Sequence, residues 1–179
     1  MMRIPNFLTE EGSILYKNTV GKQISPRVGG IVIAESEKIM EQGVRKVLDV
    51  ACGPGTISLN LAEKNPHIHV TGIDASEAMI QQCKREAEKV GLQNTTFLTM
   101  NADSIQFPGS SFDLVICNLA FPFFSRTNES MKGIYNVLNP DGTLLMSVPG
   151  RNTWKEFFEI GEELLGDTPT FAKPFLSKF

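Results

Sequence analysis

The sequence predicts an α/β fold: a parallel sheet with helices on both faces and an N-terminal helical cap. Three observations predict it. Short apolar runs of strand length recur near residues 46–51, 68–73, 95–100, 112–117 and 143–148. Stretches with helical apolar spacing lie between them, an alternation that builds a parallel sheet through right-handed crossovers. Finally, the first two runs each carry an acidic residue toward their end, Asp49 before Cys52-Gly53-Pro54-Gly55 and Asp74 after Gly72-Ile73. Parallel strands all open on one edge of the sheet, where such folds bind ligands.

Each element has a local cause. Residues 9–42 read as helical, with Ser25-Pro26 offering a capping hydroxyl and a first-turn proline, and Gly43 at the C-terminus. The strand at 46–51 enters a glycine loop, and Ile57 and Leu61, one turn apart, mark a helix at 56–64. Ser76 caps a helix at 77–90 whose Met79, Ile80, Cys83, Ala87 and Val90 follow helical period; Gly91 stops it. Pro108-Gly109-Ser110-Ser111 is a turn before a doubly covered strand. Met131, Ile134, Tyr135 and Leu138 mark the next helix, and Asn139-Pro140-Asp141-Gly142 turns the chain into the fifth strand. A last helix is expected from Asn152 to Leu165.

Composition bounds the function. The 179 residues suffice for one domain, read as a cap over 1–43, a core over 44–166 and a tail over 167–179. Hydrophobic content of 41% and a net charge of −3, with both signs interspersed, suggest neither a nucleic-acid nor a membrane partner. Neither a secretory signal nor a membrane-spanning run is visible. Cys52, Cys83 and Cys117 lack zinc-type spacing and point to a reducing compartment, so the expected location is cytoplasmic. No metal site is expected: His67 and His69 lie at the start of the second strand, without a third ligand near.

A glycine cradle followed by a carboxylate at the next strand's tip suits a nucleoside. Glycines let backbone approach the ligand, and the carboxylate accepts from ribose hydroxyls. Nicotinamide enzymes place G-x-G-x-x-G in the same loop. Two residues argue against that reading. Ser58 stands where the dinucleotide fingerprint needs a glycine or alanine, and Asp49 occupies a strand position that such folds keep apolar. At the third strand's end, Asn101-Ala102-Asp103 places an acid able to accept from an adenine amino group.

At this point the chain resembles the class I S-adenosylmethionine-dependent methyltransferases, a Rossmann-like superfamily. Asp49-Val50-Ala51-Cys52-Gly53-Pro54-Gly55 looks like their first motif, Asp/Glu-x-Gly-x-Gly-x-Gly, with Ala51 replacing the first glycine. That small residue fits if the backbone torsion there is ordinary. Gly72-Ile73-Asp74-Ala75-Ser76 resembles the ribose motif, and Asn101-Ala102-Asp103 the adenine-side one. Asp113 to Ala120 resembles the fourth strand and its tip, and Leu138 to Leu144 the turn into the fifth. The Asn118-Leu119-Ala120 variant is similar to the small-molecule, quinone-biosynthesis-like branch.

The resemblance implies S-adenosylmethionine as cofactor, methyl transfer to a small molecule by direct displacement, and a ligand set. Asp49, Ala51, Gly53 and Gly55 would serve the methionyl end, near the positive N-terminus of the helix starting at Thr56. Asp74 would take both ribose hydroxyls, Ala75 or Met79 would pack on the adenine, Ala102 and Asp103 would meet its edge, and Asn118 and Leu119 would complete the rim. Alignment is the main task in such a displacement, and orientation supplies on the order of 7–11 kcal/mol. No obligatory catalytic residue follows. Tyr16 is the candidate base, Arg151 the candidate contact for an acidic substrate, and Phe121 to Phe124 with Trp154, Phe157 and Phe158 the candidate roof of an apolar acceptor pocket. Cys52 reads as a packing residue. Class I enzymes carry two further strands after the fifth helix, which the residues past Leu165 are too few to form. Strand five is then expected to be a sheet edge, open to a second copy of the chain, and a non-catalytic cofactor-binding domain is the third functional class.

Overall fold

The computed structural model describes residues 25–148, and α1 to β5 below lie within one compact unit. Helix α1 (Ser25–Met40) leads into strand β1 (Lys46–Val50), α2 (Thr56–Lys64), β2 (His69–Asp74), α3 (Glu77–Lys89) and β3 (Thr95–Thr99). A 3₁₀ turn (Ala102–Ser104) precedes β4 (Phe112–Asn118), a second (Phe121–Phe123) precedes α4 (Thr127–Val137), and β5 (Leu138–Ser147) closes the described chain. All strand pairs are parallel, in the order β3-β2-β1-β4-β5.

Side-chain alternation along β1 divides the core. Val47 joins Val32, Met40, Ile57, Leu61, Leu114 and Ile116 on one face, with α1 and α2. Leu48 and Val50 point the other way, onto Val115, Cys117, Ile134 and Val137 beneath α4. Ile57 and Leu61, one helical turn apart, both bury, each stabilising by roughly 1.5–3 kcal/mol. Helix α3 packs Ile80, Cys83 and Ala87 against Phe97 of β3, and Ser76 Oγ accepts from Met79 N at its start.

Two expectations shift. Tyr135 is 78% exposed, so the buried face of α4 is Ser130, Ile134 and Val137, and Leu138 already belongs to β5. Phe112 pairs with Leu138 but Leu114 pairs with Thr143, so residues 139–142 form an irregularity inside β5. Asp113, at the opposite edge from the strand tips, has a structural role. Its Oδ2 accepts from Arg45 N (2.8 Å) and Lys46 N (2.9 Å), and its Oδ1 accepts from Asn139 Nδ2 (2.6 Å). The expected helical residues 9–24 and the helix over 152–165 lie outside the described residues.

Candidate functional site: the glycine loop and the carboxyl rim

The register places Asp49 beside Gly72 and Val50 beside Ile73. Residues two apart share a face, so Asp74 lies on the Asp49 side of the sheet, one step nearer the rim. Gly72 is required there: a Cβ would sit 2.7 Å from the Phe97 ring and 3.0 Å from Cys52 Sγ.

Between β1 and α2 the chain turns through left-handed residues, Ala51 (φ 57°), Gly53 (φ 55°) and Gly55 (φ 81°). The ordinary torsion expected at Ala51 is therefore corrected. An L-residue in this region costs roughly 1–2 kcal/mol, and the coil of the loop imposes it. Asp74 holds the loop in place: its Oδ2 accepts from Gly53 N (2.9 Å) while Oδ1 accepts from Ser76 N (2.8 Å). Burial raises the Asp74 pKa above its ordinary value, and those two N–H donors oppose the rise.

Gly55 is the N-cap of α2 and supplies no side-chain acceptor. The first-turn N–H groups of a helix carry its positive dipole end, and here no capping side chain covers them. Asp49 is 2% exposed, and Ser58 Oγ donates to its Oδ2 at 2.5 Å. Burial pushes its pKa up to about 7; the Ser58 hydroxyl pulls it down and the nearby Asp74 pushes it up. Ser58, which argued against a nicotinamide fingerprint, thus ties α2 to β1. A buried carboxylate with a neutral partner, an uncapped helix start and a glycine coil are the donor and acceptor set for a zwitterionic methionyl end beside a ribose. The residues fit S-adenosylmethionine, whose sulfonium supplies the methyl group when bound.

Other expected residues are placed as follows. Ala75 is exposed at the tip of β2, whereas Met79 is buried in the first turns of α3. Ala102 packs into the core beneath α4. Asp103 differs from expectation, because its carboxylate turns to the start of α4. Oδ2 accepts from Ser125 N and Arg126 N (both 3.1 Å), and Oδ1 accepts from Ser130 Oγ (2.5 Å). Asn101, at that strand tip, is exposed, and its Oδ1 accepts from Asp103 N at 2.8 Å. Asn118 and Leu119 sit half-buried at the tip of β4, with Leu119 at φ 56°. Ser147 Oγ donates to Asn118 Oδ1 (2.6 Å) and accepts from Leu119 N (3.0 Å).

Asn101, Ser58 and Ser147 belong to this rim; sequence reasoning named the first only within its motif and gave the other two no part in the site. A polar residue at a predicted strand tip was the available signal for the first and last. For Ser58 it was a hydroxyl one helical turn into α2, facing an in-strand acid. His67 and His69 are exposed at the far edge, with His69 Nε2 2.9 Å from Thr96 Oγ1. Phe123 is exposed beside the rim while Pro122 and Phe124 are buried. Tyr16, Arg151, Trp154, Phe157 and Phe158 lie outside the described residues.

This fold and site have the form of a methyltransferase domain. The chain belongs to the methyltransferase-domain family, whose profile matches residues 42–170. It is 31% identical over 150 residues to a demethylmenaquinone methyltransferase of Listeria welshimeri, covering 81% of this chain and 63% of that protein. The chain thus spans less than two thirds of that curated relative. Among solved structures, the (4+2)-cyclase SpnF is 28% identical with a TM-score of 0.62, covering 69% of this chain and 44% of that one. A SAM-dependent methyltransferase from Aquifex aeolicus, at 19% identity and a TM-score of 0.63, shares the fold over 80% of this chain and 74% of its own.

Proposed function

We propose that the protein transfers a methyl group from S-adenosylmethionine to a small-molecule acceptor by direct displacement. The observation that carries this reading is the pairing of Asp49 and Asp74 around the coiled loop 51–55, at the uncapped start of α2. In this reading Asp49 faces the cofactor's ammonium, Gly53 and Gly55 lie beneath its methionyl end, and Asp74 accepts from the ribose diol. Ala75 lies against the adenine, and Asn101 takes the edge role that the sequence suggested for Asp103. Asn118 and Leu119 close the rim. No residue is assigned as general base.

Membership of the family and the Listeria relative's name favour a demethylmenaquinone-like acceptor. Three finer proposals accompany this reading: residues 1–179 as one domain, a cytoplasmic location, and pairing of a second copy along β5. Among the described residues, no helix is long and apolar enough to cross a membrane. Sedimentation of the purified chain tests the pairing, and a monomer at all concentrations rejects it. No nucleic-acid partner is invoked.

Thermal shift against S-adenosylmethionine, S-adenosylhomocysteine and NADH tests the cofactor. Stabilisation by the two adenosyl compounds is expected, and stabilisation by NADH alone would reject the reading. Asp74→Ala should abolish the adenosyl shift, and an unchanged shift would show the ribose contact to be misassigned. Label transfer from methyl-labelled cofactor into a metabolite extract then tests turnover. Cofactor binding without transfer would favour the non-catalytic alternative or a SpnF-like use of the fold.

A further inference from the structure

Two thiols converge beneath the loop. Cys52 lies within it and is partly exposed, whereas Cys83 is buried on α3. Cys83 Sγ donates to the Gly53 carbonyl at 3.2 Å, and Cys52 Sγ approaches the same oxygen at 3.8 Å. Both sulfurs thus lie within 4 Å of one carbonyl oxygen, and Cys52 packs against the apolar cluster that holds Cys83. Glycines make the space: a Cβ on Gly55 would stand 2.8 Å from Cys83 Sγ, and one on Gly72 would stand 3.0 Å from Cys52 Sγ. Cys117 packs on the opposite face of the sheet, beneath α4, and does not join them. With three cysteines in the chain, only this pair is placed to react together.

We propose that Cys52 and Cys83 form a dithiol modification site, which a small-molecule disulfide oxidises to an intramolecular Cys52–Cys83 bond. Cys52, the partly exposed member, is the point of attack. Its thiolate attacks one sulfur of oxidised glutathione, the glutathione S–S bond breaks, and one glutathione leaves as thiolate. The Cys83 thiolate then attacks the Cys52 sulfur of that mixed disulfide and expels the second glutathione. The two protons released by the cysteines pass to the two glutathione thiolates. Both protein sulfurs are oxidised and the glutathione disulfide is reduced, so the step is balanced. The neighbouring Cys83 thiol, together with burial, pushes the Cys52 thiol up, so exchange accelerates as pH rises.

The bridge would tie the loop to α3 and draw the Cys83 thiol from the Gly53 carbonyl, whose own N–H is held by Asp74. That consequence rests on the function proposed above, since only a cofactor lying over the loop gives it catalytic meaning. The chemistry itself does not.

The test incubates the native protein with oxidised glutathione at mildly alkaline pH, then alkylates it in denaturant and analyses it by mass spectrometry. The expected product has lost two of its three alkylatable thiols and yields a linked peptide pair containing Cys52 and Cys83. Cys83→Ser should stop at a glutathione adduct on Cys52, and Cys52→Ser should keep both remaining thiols. Three alkylatable thiols in the wild type, or a stable Cys52 adduct without the link, would overturn the proposal. So would a link that forms only in denaturant. Adding S-adenosylhomocysteine separates the two ideas. Slower bridging supports both. An unchanged rate with bridging intact leaves the dithiol site standing and counts against the loop as the cofactor contact.

Discussion

Replacing Asp49 by Asn tests the electrostatics of the site most directly. In the folded chain burial raises the Asp49 pKa from the ordinary 3.8 to about 7. The native state therefore holds this proton more tightly than the unfolded chain does. Its contribution to stability is greatest below about pH 4 and falls as pH rises toward about 7. The gap between the two values corresponds to about 4 kcal/mol in the cofactor-free protein. Asn cannot ionise, yet its amide oxygen still accepts from Ser58 Oγ. Asp74 also has a raised pKa, but it is present in both proteins and largely cancels in their difference. Urea unfolding from about pH 4 to about pH 8 should show near-equal stabilities at the acid end and a variant more stable by several kcal/mol at the alkaline end. With the cofactor's ammonium beside Asp49 as proposed, the sign reverses. Wild-type affinity for S-adenosylhomocysteine should rise with pH up to about 7, whereas the variant should bind weakly and without that dependence. A stability difference constant across the pH range would refute the reasoning.

Three further substitutions probe the frame around Asp49. Ala51→Gly removes the left-handed cost of about 1–2 kcal/mol and adds about 0.4–1 of unfolded-chain entropy. The urea midpoint should therefore rise slightly, and a clear drop would mean the loop does not need φ 57°. Gly72→Ala should destabilise by about 1–3 kcal/mol, because the new methyl meets the buried Phe97 ring; an unchanged midpoint would contradict the register of β1 and β2. Asp103→Ala strips the acceptor from Ser125 N, Arg126 N and Ser130 Oγ and should cost about 3 kcal/mol. The remaining folded protein should still bind S-adenosylhomocysteine, and calorimetry showing abolished binding would restore Asp103 as an adenine ligand.

Sequence alone determined the alternation of strands and helices, the parallel sheet, and the edge at which the glycine loop and Asp74 lie. These depend on periodicity and turn chemistry, which are local: Ile57 and Leu61 define α2 by spacing, and Ser76 caps α3 by its hydroxyl. The ends of the sheet at which Asp74 and Asp113 lie were legible for a related reason, since a strand's direction assigns each acid to one end.

Tertiary structure decided which way each polar group turns. Asp103 and Asn101 stand two residues apart at one strand tip, but only packing against α4 shows that the acid faces inward and the amide outward. The Asp49–Ser58 bond, the left-handed turn at Ala51 and the meeting of Cys52 with Cys83 join or shape segments that spacing treats as separate. Periodicity reports which face of an element is apolar. The partner of a buried polar atom depends on how those faces dock, and that is set by the packing of the whole sheet.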